Sequence, residues 1–132
     1  LDGEVIAENI INGTSRSPDY SVVPSVVFSE PHLTTVGLSE QQARDQGRDF
    51  RVSFADTGNW VTSRRINQPY SGFKILIENE TDLILGAHLL GPHAEEVINI
   101  FALAIKENIP ASRLKNMIYA YPTSASDISY ML

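Results

Sequence analysis

Three histidines, a pair of adjacent arginines and one late aspartate are the side chains whose types invite a chemical reading. His32, His88 and His93 are far apart and lack the spacing of metal ligands, so structural or surface roles are expected of them and no metal site is. Arg64 and Arg65 follow closely on Trp60, and paired guanidinium groups bind phosphate or carboxylate. The same stretch also reads as a solvated turn with an aromatic lid. Asp127 is a candidate catalytic carboxylate, but as the fourth residue of Ser124-Ala125-Ser126-Asp127 it fits a capping box, which favours a structural role. There is no cysteine, and so no thiolate nucleophile, disulfide or CxxC site. The chain contains no GxGxxG, P-loop or nucleophile elbow, so it carries no dinucleotide fingerprint and no motif supports a Ser/His/Asp triad.

The elements that would position these residues belong to a chain of 132 residues, the size of one domain with one core. Hydrophobic residues make up 42% and charged residues 20%, a globular balance. The net charge of −6 disfavours nucleic-acid phosphates and anionic membranes as partners. The longest strongly apolar stretch, Val97 to Ile105, is too short to span a bilayer, and the acidic start with Asp2, Glu4 and Glu8 is unlike a signal peptide. A cytoplasmic location follows as an expectation.

Leu1 to Gly13 reads as the end of a helix closed by Asn12-Gly13, which favours a segment cut from a longer polypeptide. Thr14 to Tyr20 is a polar linker. Strands are expected at Val22 to Phe28, with Pro24 suiting an edge, and at Thr34 to Gly37. Ser39 to Gln42 is a capping box for a helix ending near Gln46-Gly47. Phe50, Val52 and Phe54 alternate with polar residues, as Phe73, Ile75 and Ile77 do within Gly72 to Glu78. Asp82 to Leu90, apolar on both faces apart from His88, reads as a central strand forming an antiparallel hairpin with the one before. Gly91-Pro92 opens a long helix, about His93 to Asn108, apolar around most of its circumference. That helix is either the centre of the core or a shared face with another subunit. A short helix from Pro110 to Met117, capped by Ser112, an extended Tyr119 to Pro122 and a last helix reaching Leu132 complete the chain. The expected fold is α+β, an antiparallel sheet covered by helices.

Several of these segments, in this order, resemble one family. Val23-Pro24-Ser25-Val26-Val27-Phe28-Ser29-Glu30-Pro31 followed by Val36-Gly37-Leu38-Ser39-Glu40 is similar to the entry strand and first helix of the dimerisation domain of the pyridine-nucleotide-disulfide oxidoreductases, the family of glutathione reductase, mercuric reductase and dihydrolipoamide dehydrogenase. Gly72-Phe73-Lys74 and the run Ile84 to Ile98 resemble its hairpin and following helix, and Tyr121-Pro122-Thr123 stands at its His-Pro-Thr. The resemblance implies a tail of an FAD-domain helix plus linker over residues 1–20 and a dimerisation domain over 21–132. It implies a homodimer whose subunits also carry FAD and NAD(P) domains, an FAD- and NAD(P)-dependent oxidoreductase as the whole, and a fragment that holds neither cofactor and is inactive alone. Tyr121, in place of the family histidine, becomes the candidate catalytic residue, and Tyr121 with Pro122 would meet the partner subunit's FAD.

Two departures stand out: Tyr121 replaces the family's histidine, and Ser126 the glutamate that orients it, with Asp127 one position late. An imidazole titrates near ~6.5 and shuttles protons, whereas a free phenol titrates near ~10 and needs no carboxylate to set a tautomer. The usual thiol-activating pair is therefore missing. Tyr121 packs or hydrogen-bonds near the partner's flavin, donates to a different substrate, or is structural. Moving Asp127 into the glutamate's place would take a turn of roughly 100° about a helix axis. The other reading of the chain is a free-standing α+β sensor or small-ligand-binding domain with Trp60, Arg64 and Arg65 as an anion site.

Overall fold

Apolar alternation and two glycine-dependent close approaches build a five-stranded antiparallel sheet. The computed structural model describes residues 2–132; Leu1, part of the expected first helix, lies outside them. In chain order the elements are α1 (Asp2–Asn12), β1 (Ser25–Val27), β2 (Leu33–Gly37), α2 (Glu40–Asp45), β3 (Phe50–Asp56), α3 (Val61–Arg64), β4 (Gly72–Glu78), β5 (Ile84–Leu90), α4 (Ala94–Lys106), α5 (Ala111–Lys115), a 3-10 turn (Ser124–Asp127) and α6 (Ile128–Met131). The sheet order is β1-β2-β5-β4-β3, so β5 is the central strand its two-sided apolarity predicts. β1 is shorter than expected because only Ser25, Val26 and Val27 find partners on β2.

One irregularity explains how β5 serves both faces. Leu76 pairs with Gly86 and Ile77 with Ile84, leaving Leu85 as an extra residue. The bulge puts Ile84 with Ala87 and Leu89 on the face under α4, and sends Leu85 to the face under α2. On the α4 side, Phe101 and Ile98, both at 0% exposure, pack with Ile75, Ile77 and Val36. Burying each such side chain contributes about 1.5–3 kcal/mol. On the other side α2 seats Ala43 with Leu76 and Leu85, and Leu38 and Phe50 border them. The rest of that face, with Val27, Leu33 and Phe54, is exposed.

α4 is less apolar outward than its composition implies. Glu96, Asn99, Leu103 and Lys106 face outward, while Val97, Ile98, Phe101 and Ala104 are buried. Its inner side is the centre of the core, and Leu103 is an exposed apolar residue on its outer stripe. α1 buries only Val5 and leaves Ile6, Ile10 and Ile11 exposed. Among the described residues no helix is long and apolar enough to cross a membrane.

The capping box of α2 forms as expected, with Ser39 and Gln42 satisfying each other's backbone N–H groups. Two other caps differ. Pro110, not Ser112, precedes α5; the Ser112 backbone N–H donates to Asp82 Oδ2 at 2.8 Å, so a distant carboxylate caps the helix. Arg51, then that N–H, hold the Asp82 carboxyl below its ordinary range. The last capping box is built by Thr123 and Ser126, one residue earlier than expected, which releases Asp127 from it.

His88 sits mid-strand between two fixed partners. Its Nε2 lies 3.2 Å from the Leu38 carbonyl, which only accepts, so Nε2–H donates, and its Nδ1 shares a 2.6 Å hydrogen bond with the Thr35 hydroxyl, which donates to the neutral ring and accepts from the protonated one. Burial first, with Lys74 adding to it, pushes the His88 pKa below its ordinary 6.5 against the pull of the Leu38 carbonyl.

Two measurements check this account. A Cβ on Gly86 would stand 2.0 Å from the Leu38 backbone oxygen, whereas one on Gly3 meets nothing within 4 Å. Gly86→Ala is expected to lower stability by about 3 kcal/mol or more in urea unfolding, and Gly3→Ala to leave it unchanged or raised by up to ~1 kcal/mol. For His88 the unfolded ring takes up a proton before the folded one, so its contribution is present above pH 6.5 and is lost as pH falls from 6.5 toward the lower folded pKa. The urea midpoint should drop on acidification from neutral pH, by less in His88→Gln; equal slopes in the two proteins would contradict the assignment.

Candidate functional site

The chemistry-bearing end of the molecule is the segment between α5 and α6, which leaves the core and returns to it. Leu114 and Ile128, both buried, pin its two ends. Tyr119 packs against the core and donates its hydroxyl to the Leu114 carbonyl at 3.0 Å. Thr123 Oγ1 donates to the Ala120 carbonyl at 2.6 Å, closing the loop across its own tip. Between these ties the chain projects: Ile118 is 99% exposed, Tyr121 76%, and Pro122 is exposed as well.

Tyr121 makes no hydrogen bond among the described residues. The two side chains that might have oriented it are engaged elsewhere. Ser126, at the position where the resemblance expects a glutamate, is buried; its hydroxyl donates to the Thr123 carbonyl at 2.6 Å and accepts from the Thr123 N–H at 3.3 Å. Asp127 accepts from the Thr62 hydroxyl at 2.6 Å. Burial pushes the Asp127 carboxyl above its ordinary range, with the Thr62 hydrogen bond opposing the shift. No dyad forms at Tyr121, and Asp127 does not stand in for the missing glutamate.

The β3–β4 connection forms the opposite wall. Thr57, Ser63 and Ser71 are buried and share hydroxyl hydrogen bonds of 2.9 and 2.7 Å, which hold α3 against the start of β4. That places Trp60 inward, 5.8 Å from the Phe73 ring and 6.1 Å from Tyr130, centroid to centroid. A hollow of about 300 Å³ opens between Trp60, Thr62, Tyr121, Pro122, Asp127 and Tyr130. Thr62, Ser63 and Ser71 carry no sequence signal for this, because their partners lie 8 to 65 residues away.

The expected grouping of Trp60 with Arg64 and Arg65 does not form. Trp60 turns toward the core, both arginines are exposed, and Arg65 instead lines a separate cleft with His93, Glu96 and the residues after Tyr121. His32 pairs with Glu95 at 2.8 Å, tying the turn before β2 to the start of α4. Burial acts to raise the Glu95 carboxyl, but the His32 hydrogen bond, the helix-start N–H and the charges of His32 and His93 outweigh it and hold it low. His93 occupies the left-handed position before α4 with φ 56°. Among the described residues no three potential ligands cluster to hold a metal.

Comparison with known proteins meets this geometry from outside. The model of the pyridine nucleotide-disulphide oxidoreductase dimerisation domain matches residues 23–132. An uncharacterized 19.7 kDa protein in the mercuric resistance operon of Staphylococcus aureus is 44% identical over 131 residues, covering 99% of this chain and 73% of that protein. Mercuric reductase of Lysinibacillus sphaericus is 34% identical, covering 96% of this chain, and dihydrolipoyl dehydrogenase of Geobacillus stearothermophilus is 35% identical, covering 92%. The chain spans only about a quarter of these two enzymes, 23% and 26% of their lengths. Among solved structures, the HOCl-induced flavoprotein disulfide reductase RclA of Escherichia coli superimposes with a TM-score of 0.90 at 29% identity, over 98% of this chain and 30% of that one. With the family model covering both the sheet and the projecting loop, this chain belongs to the pyridine nucleotide-disulphide oxidoreductase family, as its dimerisation domain.

Proposed function

We propose that the chain pairs with a second copy of itself and presents Tyr121 and Pro122 to the flavin site of the partner subunit, within an FAD- and NAD(P)-dependent oxidoreductase of the cytoplasm. The observation that carries this reading is the loop itself: a rigidly tied finger whose tip holds exposed Ile118 and Tyr121, costly to leave in water unless a partner covers them. The relatives supply the context. RclA is described as a flavoprotein disulfide reductase, and its dimerisation domain has the same fold as this chain.

The chemistry open to Tyr121 is limited. A phenol lends one O–H to a flavin oxygen or a substrate, and stacks through its ring. Without a histidine–carboxylate pair at this loop, activation of a thiol by a nearby base has to come from residues outside this chain. Tyr121 is accordingly assigned as a hydrogen-bonding and packing residue at the flavin, with Pro122 stiffening its approach.

A second reading has one specific support. The S. aureus relative, at 19.7 kDa, is mostly this domain and has no room for both nucleotide-binding domains of a full reductase. In that setting the pair is a dimeric module without flavin, as a free-standing binding or sensor domain.

The chain should sediment at about 29 kDa, twice 14.6 kDa, at high micromolar concentration, and Ile118→Asp should weaken pairing without loss of folded signal. A monomer at that concentration refutes self-association. In the full-length gene product Tyr121→Ala is expected to alter the flavin absorption band; an unchanged spectrum removes Tyr121 from the flavin. A colourless, dimeric gene product selects the second reading.

A further inference from the structure

The hollow beside the loop has a composition of its own. Three aromatic rings, Trp60, Tyr121 and Tyr130, border it with Pro122, and the carboxyl of Asp127 stands at its wall. Trp60 and Tyr130 meet edge to face at an interplanar angle of 72°, so they present different faces rather than stacking shut. No lysine or arginine lines the space, and the neighbour recorded for Asp127 is the neutral hydroxyl of Thr62. Aromatic rings and a carboxylate that has no cationic partner among the described residues form a setting for a cation too greasy to be held by water. A volume of about 300 Å³ suits a small organic ion, and the chain's net charge of −6 favours positive ligands at long range.

We propose that this hollow is a binding site for a small alkylammonium cation, held by the rings of Trp60, Tyr121 and Tyr130 and neutralised by Asp127. Thr62 is a positioning residue: its hydroxyl donates to Asp127 Oδ2 and fixes the carboxyl at the wall of the hollow. Every contributing residue comes from one chain, but Tyr121 and Pro122 are also the residues proposed above to meet the partner's flavin, so the site is tested on the chain by itself.

The chain's only tryptophan reports on it. Choline chloride is titrated against Trp60 emission, beside sodium chloride at matched ionic strength and 3,3-dimethylbutanol, the uncharged isostere. A saturable response to choline alone is expected. Asp127→Asn should weaken it roughly tenfold and Tyr130→Ala roughly three- to thirtyfold, with Tyr130→Phe retaining it. Circular dichroism of each variant establishes that it is folded. Equal responses to sodium chloride or dimethylbutanol, or folded Asp127→Asn and Tyr130→Ala proteins that bind choline as the parent does, overturn the proposal. Sedimentation of the same samples separates it from the reading above: a monomer that binds choline keeps this site and loses the pairing, and a dimer that does not bind choline loses this site alone.

Discussion

The contact of α4 with the middle of the sheet is the interaction on which the remainder of the molecule depends. Phe101 and Ile98 fill the face made by Ile75, Ile77, Ala87 and Leu89. Leu114 and Ile128 then add to the same core. Because those two residues bracket the loop bearing Tyr121, the position of the functional tip is inherited from the packing of the core helix. A void under Phe101 would loosen the tip as well as the centre, since protein interiors do not redistribute volume freely.

Polar ties then convert a connection of some dozen residues into a defined projection. Tyr119 to Leu114, Thr123 to Ala120 and the reciprocal Thr123–Ser126 pair each remove a backbone or hydroxyl group from water's competition. None of them engages Tyr121, whose ring stays exposed. Family membership gives that exposure a meaning. The family's dimerisation domain is where the proposal that a second copy covers this tip has its footing. Serine at the glutamate position is consistent with this: with no imidazole to orient, the residue has been absorbed into the cap.

The fold was largely legible from the sequence, and the reasons are particular. Strand β4 was readable to the residue, because Phe73, Ile75 and Ile77 alternate strictly and Asn79 to Thr81 turns the chain. The capping box at Ser39 is local chemistry within four residues, so sequence reveals it. The cap of α5 was misread because its acceptor, Asp82, lies 30 residues upstream. The last box slipped by one because Thr123, Ser124 and Ser126 all offer hydroxyls, and only the entry angle of the loop chooses among them. α3 went unread as a helix, being a single turn held by the buried Ser63–Ser71 hydroxyl contact. For the site, Tyr121 and Pro122 came from resemblance alone.

What the sequence determined by itself was whatever rests on near neighbours and on composition: the period of the strands, the breaks at Gly91-Pro92, and the absence of thiol and nucleotide-binding motifs. Tertiary structure alone decided which side each residue faces across long separations. It turned Trp60 away from Arg64 and Arg65 and toward Tyr130, gave Asp127 to Thr62, and set His88 between Thr35 and Leu38. The physical reason is that hydrogen bonds and ring contacts act over a few ångströms of space, while a sequence records only distance along the chain.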